Sequence, residues 1–397
     1  MGCRFLPVRY RARMPEVAGS CDDRFVAVRD AFARNFDDRG EVGAAVAVVV
    51  DGRPVVDLWG GAADPANGRP WERDTAAVVF STTKGLTATC ALLLWQRGEL
   101  DIDAPVASVW PEFAAGGKAF VTVRQLLAHQ AGLPAFDTPI TVEECHESGV
   151  AADRLAGQTP RWEPGTAHGY HALSFGWLVG EVVRRVSGRT VGHFFADEVA
   201  GPLGLATWIG LPPKLEERVA TLVTMSLDEI EISDDIQPIV EAILDSSSDT
   251  FAAFTNPPVL AGVDAFNSTA LHQAEWPAAG GITTARSLAR LYGELACDRV
   301  LSASTLDAAE EPQGDGVDRV LRLRTSFGLG YMLPSQFISY GPRGGFGHGG
   351  AGGSLAFADR RSRVGFAYVM NEMSASLKTD PRADTLVRAV YASLGEG

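Results

Sequence analysis

The sequence is poor in cysteine, and the five it has are not spaced for work. Cys3, Cys21, Cys90, Cys145 and Cys297 are odd in number, far apart and free of any CxxC or Cys/His cluster. That argues against a disulfide framework and against a zinc site, and leaves idle or buried thiols in a reducing compartment. Long apolar runs are also missing. No stretch approaches the ~18–20 residues that a membrane span needs. The N-terminus carries Arg4, Arg9, Arg11 and Arg13 but lacks the apolar core of a secretory signal. Gly2 is present, yet Leu6 stands where N-myristoylation wants Ser or Thr. Residues 1–20 therefore read as a flexible arm, with Met14 as an alternative start, and the expected location is the cytoplasm.

Positive charge is short as well. Lys and Arg total 35 against 49 Asp and Glu, a net charge of −14. Nucleic acid and anionic membrane surfaces would repel such a chain, so neither is expected as a partner. No GxSxG occurs, which counts against the nucleophile elbow of an α/β-hydrolase. No HExxH or carboxylate cluster accompanies His168 and His171, so no metal and no cofactor is expected. The run Gly345–Gly350 satisfies GxGxxG, but a strand-like segment follows it where a dinucleotide site needs a helix. Internal repeats and low-complexity linkers are absent.

What is present is an ordinary globular composition, 46% hydrophobic and 21% charged over 397 residues, enough to bury one large core or two modest ones. Residues 23–36 place Phe25, Val28, Phe32 and Phe36 at helical spacing. VGAAVAVVV and PVVDLWGG flank an Asp51–Gly52–Arg53 turn and read as an antiparallel hairpin, with Pro54 at a strand start. FSTTKGLTATCALLLWQRGEL reads as a buried helix opening at Ser81. Further helices are expected over 122–129, 172–187 and 285–297. The stretch 226–250 holds eight acids and no Lys or Arg, and reads as a solvated surface segment, with a lid over a pocket as the sharper alternative. GSLAFAD and VGFAYVMN form a second hairpin, and a last helix carries Leu386, Val387, Val390, Tyr391 and Leu394 on one face. Strands at both chain ends and helices between them predict an α+β fold: an antiparallel sheet built from both termini, with a mostly helical insertion.

Ser81 and Lys84 carry the chemistry. At i and i+3 of a helix start their side chains share a face. A serine hydroxyl attacks only when a neighbouring base takes its proton, and a lysine serves if burial keeps it neutral. The helix N-terminus adds N–H groups suited to an oxyanion. SxxK alone also fits an N-cap serine beside a solvated lysine.

The wider set decides. FSTTKG, TVRQLLAHQAGLP (122–134), WEPGTAHGYHALSFGWLVGEVVRRVSGR (162–189), PLGL (202–205) and FGHGGAGGSLAFAD (346–359) resemble, in order, the serine β-lactamase and penicillin-binding protein superfamily. Within it the chain is most similar to the family VIII carboxylesterases, the esterase branch near class C β-lactamases. The resemblance implies Ser81 as nucleophile, Lys84 as adjacent base and Tyr170 as proton shuttle. It assigns His348, Gly349 and Gly350 to the substrate-binding strand, and the backbone N–H groups of Ser81 and Ala351 to the oxyanion hole. It also implies one β-lactamase-like catalytic domain over 21–397, its α/β part about 21–80 and 285–397 and its helical part about 81–284. Two departures stand out. Tyr170-His171-Ala172 replaces Tyr-x-Asn, and His348-Gly349-Gly350 replaces Lys-Thr-Gly, so the amide and the fixed charge suited to a β-lactam are gone. Both favour an uncharged small-molecule ester, and weak β-lactam hydrolysis is compatible with them. Two alternatives stay open: a β-lactamase or D-amino-acid peptidase or amidase, and a non-catalytic binding protein on the same fold. For His129 a satisfied structural histidine is the better reading. Oligomeric state is not legible.

Overall fold

The computed structural model describes residues 16–396 apart from 148, 224–232, 262–263, 375 and 377. Its strands are β1 (Ala18–Cys21), β2 (Gly43–Val50), β3 (Arg53–Asp64), β4 (Arg69–Pro70), β5 (Ala77–Val78), β6 (Thr207–Ile209), β7 (Gly281–Thr283), β8 (Gly314–Val317), β9 (Arg324–Phe327), β10 (Met332–Leu333), β11 (Phe346–Gly349), β12 (Leu355–Asp359) and β13 (Val364–Met370). The main sheet runs β1-β3-β2-β13-β12-β11-β10-β9-β8, with β4 alongside β3, and all its pairings are antiparallel. Both expected hairpins are present, and β2 from one chain end pairs with β13 from the other.

The near-continuous apolar run of β2 has a physical cause. Ala47 and Val49 face a core shared with the Thr83–Gln96 and Ala285–Ala296 helices. Val46 and Val48, pointing the other way, join a core with Val28 and Phe32 of the Val26–Asp38 helix and Leu386 and Val390 of the Pro381–Leu394 helix. Both faces are covered, so both sets of alternating side chains must be apolar. At about 1.5–3 kcal/mol per large side chain buried, this central pair is a main support of the fold.

Three expectations need correction. The arm expected over 1–20 ends earlier, because Ala18–Cys21 pairs with β3 as an edge strand. Its Gly and Ser carry no apolar alternation, so only backbone hydrogen bonding reveals it. Residues 1–15, including Met14, lie outside the described residues. The helix expected from Ser81 begins at Thr83. The middle of the chain is mostly helical as expected, and its short strands β6 and β7 form a small sheet with β5 in the order β5-β7-β6. These strands are three residues or fewer, too short to show a period of two. The acidic stretch is more than a solvated surface segment. Part of it, 224–232, lies outside the described residues, but Gln237–Leu244 and Asp249–Thr255 are helices. Ile236, Ile239 and Ala253 are buried in the same cluster as Tyr170, while Glu241 on the first of these helices is exposed, as an amphipathic helix requires. Among the described residues no helix is long and apolar enough to cross a membrane.

Candidate active site

β5 delivers the chain to a sharp turn before the Thr83–Gln96 helix. Phe80 takes φ +44, a left-handed conformation that a bulky aromatic seldom adopts. Such strain persists only where surrounding contacts impose it. Here the Thr83 hydroxyl donates to Phe80 O at 2.5 Å and accepts Gly281 N–H of β7 at 2.8 Å. The turn presents Ser81, which is half-buried, at the mouth of a helix whose first turn is buried.

Lys84 lies one turn into that helix, with no exposed surface. Its Nζ is 3.1 Å from Ser81 Oγ and also meets Ala172 O at 2.7 Å and Ala278 O at 3.1 Å. No carboxylate pairs with it among the described residues, and burial alone drives its pKa well below the lysine range. The amine also sits 4.7 Å from the centre of the Tyr170 ring.

Burial raises the pKa of the Tyr170 phenol above its ordinary value, and the neighbouring Ser81 side chain partly opposes that rise. The segment around Tyr170 is fixed by backbone bonds. Gly169 N–H donates to His129 O at 3.0 Å, His171 N–H to His129 Nδ1 at 3.1 Å, and Tyr170 N–H to Asp318 Oδ1 at 3.0 Å. The same Asp318 oxygen accepts from Val320 N–H and Leu321 N–H, each at 2.7 Å, and Thr325 Oγ1 donates to its partner oxygen at 3.2 Å. His171 takes the Leu133 N–H on Nε2 and donates from Nδ1 to Gly169 O. It is a neutral structural ring, its pKa pushed down by burial to about 4. His168 bonds Thr325 through Nε2 at 2.9 Å. Neither acts with the other as a ligand pair.

His129 corrects its expectation in part. Nδ1 is satisfied by His171, but the buried Nε2 has no partner among the described residues. Its ring packs between Phe327, 4.4 Å away, and Phe175, 4.9 Å away, behind Tyr170.

β11 brings His348, Gly349 and Gly350 to the other side of Ser81. Thr82 Oγ1 reaches His348 O at 3.4 Å and Ser354 Oγ at 3.1 Å, and the Ser354 hydroxyl donates to Val79 O at 2.8 Å. A side chain at 350 would stand 2.2 Å from Val79 O, so only glycine allows this approach. Ala351 follows directly, exposed, in a tight turn. The His348 ring lies 6.0 Å from that of Tyr170. Nδ1–H donates to Gly349 O at 2.6 Å, and Nε2 is buried without a partner among the described residues. Burial, helped by nearby Lys84, lowers its pKa to about 3.

The structure thus gathers Ser81, Lys84, Tyr170, His348, Gly349, Gly350 and Ala351 in one place. The carbonyls of Ala172 and Ala278 and the carboxylate of Asp318 escaped sequence reasoning. A backbone acceptor has no sequence signal, and Asp318 meets Tyr170 across 148 positions. Two surface clefts, of about 520 and 450 Å³, contain none of these residues.

The chain is similar to known proteins over most of its length. The family model described as Beta-lactamase matches residues 28–389. The esterase/beta-lactamase LipL of Mycobacterium tuberculosis is 38% identical over 371 residues, 91% of this chain and 84% of LipL. The crystal structure of a family VIII carboxylesterase superposes with a TM-score of 0.86 at 39% identity, covering 95% of this chain and all of that one. A penicillin-binding protein homologue from Caulobacter crescentus gives a TM-score of 0.84 at 39% identity, with 95% and 100% covered. The chain belongs to the beta-lactamase family, among its esterase/beta-lactamase-type serine hydrolases.

Proposed function

We propose that this protein is a carboxylesterase that hydrolyses small, short-chain acyl esters through an acyl-enzyme on Ser81. The observation that carries this is the buried Lys84 amine, 3.1 Å from Ser81 Oγ, with two backbone carbonyls as its other polar neighbours. A neutral amine has two N–H donors and one lone pair. With its donors on Ala172 O and Ala278 O, the lone pair is left for the Ser81 hydroxyl. Burial without a counter-ion favours that neutral form.

In the reaction Ser81 Oγ attacks the ester carbonyl carbon while its proton passes to Lys84 Nζ. The carbonyl oxygen becomes an oxyanion facing the N–H groups of Ser81 and Ala351. As the tetrahedral adduct collapses, the C–O bond to the alcohol breaks. The departing oxygen takes the Tyr170 proton, which Lys84 replaces. A water then repeats the sequence on the acyl-enzyme and frees the acid. Because burial keeps the Tyr170 phenol protonated, it relays a proton and does not begin as the base.

A neutral His348 supports an ester over a β-lactam, since that strand offers no positive charge to a substrate carboxylate. β-Lactam hydrolysis is then a slow side reaction. The same reading treats the chain from the edge strand at Ala18 onward as one catalytic domain and the cytoplasm as its location. Turnover of p-nitrophenyl butyrate beside nitrocefin tests the substrate class. The ester is expected to be faster, and faster nitrocefin hydrolysis would move the protein to the β-lactamase or peptidase reading. Ser81→Ala is expected to remove turnover by a factor of about 10⁶ and to abolish labelling by a fluorophosphonate. Undiminished turnover there would mean that Ser81 is not the nucleophile, whereas a wild type with neither turnover nor labelling would be a binding protein.

A further inference from the structure

The turn that carries Ala351 is gripped from behind by a buried charged group. Arg382 Nη2 donates to Gly352 O at 2.9 Å and to Glu372 O at 3.0 Å. Asp380 orients the guanidinium through Nε at 3.1 Å and Nη2 at 2.9 Å, and Glu41 Oε1 accepts from Nη1 at 3.2 Å. The Tyr368 hydroxyl donates to the second Glu41 oxygen. Arg382, Asp380, Glu41 and Tyr368 are all buried. Burying such ions is costly before they are paired, and an apolar cluster of equal volume would often be more stable. Stability alone is therefore a poor reason for this group.

Its position against the turn suggests another. Gly353 N–H donates to Gly350 O at 3.1 Å, closing the turn over Ala351 and Gly352. In a trans peptide the C=O and N–H point in opposite directions. The guanidinium holds Gly352 O, so Gly353 N–H, in the same peptide, points away from it toward Gly350 O. The peptide of Gly350 O carries the N–H of Ala351 on its opposite side, directed away from the turn. Two peptide groups thus run in line from a fixed cation to the Ala351 N–H, and hydrogen bonds in such a chain polarise one another. The left-handed φ of Gly352 (+82) and Gly353 (+123) permits the arrangement, and a Cβ at 353 would stand 2.4 Å from Asp380 Oδ2.

We propose that Arg382 is a positioning residue for the oxyanion hole, aiming and polarising the Ala351 N–H through the Gly352–Gly353 and Gly350–Ala351 peptides. This rests on the reading of Ser81 as nucleophile and Ala351 as oxyanion donor. The test compares the full-length protein with Arg382→Met and Arg382→Lys. The Lys variant keeps a positive charge beside Glu41 and Asp380 but loses the planar guanidinium, whose Nε and Nη2 both meet Asp380 and so aim Nη2 at Gly352 O. Active sites are counted with a fluorophosphonate. Turnover of p-nitrophenyl butyrate and affinity for an alkyl boronic acid, whose adduct with serine mimics the oxyanion, are then measured per titrated site. We expect kcat to fall about 10- to 100-fold, short of the loss of a whole oxyanion donor. KM should change little, and boronate affinity should fall by the same factor as kcat. A purely structural role would lower the number of active sites and leave both quantities unchanged per site. Wild-type values in either folded variant overturn the proposal, and so does failure of both to fold, which would assign Arg382 to stability. If the wild type itself lacks Ser81-dependent turnover, the underlying esterase reading has failed instead.

Discussion

Two of the basic side chains buried within this fold, Lys84 and Arg382, have surroundings that differ in one respect. Lys84 is enclosed by carbonyls, a hydroxyl and an aromatic ring, with no carboxylate paired to it among the described residues. Arg382 is enclosed by two carboxylates. Burial acts to remove charge from both. At Lys84 nothing opposes it, and the pKa falls. At Arg382 the burial cost is outweighed by Tyr368, Glu41 and Asp380, and the pKa rises. One site therefore holds a group that can give up its proton, and the other a group that cannot. Base chemistry needs the first kind, and a fixed electrostatic anchor needs the second.

The harshest way to break this contrast is Lys84→Arg, which installs a permanent cation where a neutral base is required. We expect ester turnover to fall by about 10⁴-fold, the upper end for losing a general base, while circular dichroism reports a folded chain. Tyr170→Phe leaves the base but removes the proton relay. A loss of about 10²-fold in kcat is expected, larger for poor leaving groups than for p-nitrophenolate. A result independent of leaving group would argue against the relay.

Asp318→Asn sharpens the role of position. It leaves the reacting groups in place but turns one buried acceptor oxygen into a donor facing N–H and O–H donors. We expect about 2–4 kcal/mol lost in urea denaturation and a smaller, roughly tenfold drop in kcat as Tyr170 loosens. The gentlest effect concerns pH. Burial keeps His348 and His171 neutral down to about 3 and 4, so kcat/KM should show no break at the ordinary histidine value near 6.5. In the unfolded chain both rings take up protons below that value, whereas in the fold they resist. Stability should then be full above about pH 6.5 and decline as the pH falls toward 4, as measured by melting temperature across that range.

Much of this was legible in the chain because it is local. The two hairpins follow from β-rich apolar runs on either side of the polar turns at Asp51–Gly52 and Arg360–Arg363. The Ser81–Lys84 spacing puts both groups on one face within a single helical turn. Tyr170 was legible only through resemblance, since neighbouring residues give no reason to choose it among seven tyrosines. Asp318, Arg382 and Glu41 left no trace. Glu41 and Arg382 meet across 341 positions, and a lone Glu or Arg in sequence reads as a solvated charge until the fold buries it. The three short strands of the small sheet were hidden for a similar reason, their pairing being wholly tertiary.

The chain has four lysines, Lys84, Lys118, Lys214 and Lys378, so ¹³C NMR of labelled lysine Cε can follow each through a pH titration. Lys118, lowered to about 8 mainly by burial, serves as an internal reference once Lys118→Met identifies its signal. The resonance missing from Lys84→Arg should titrate well below the ordinary lysine value of about 10.4, and kcat/KM should rise over the same pH interval. A Lys84 resonance titrating at the ordinary value would mean a charged amine at working pH, and the proposed base would not exist.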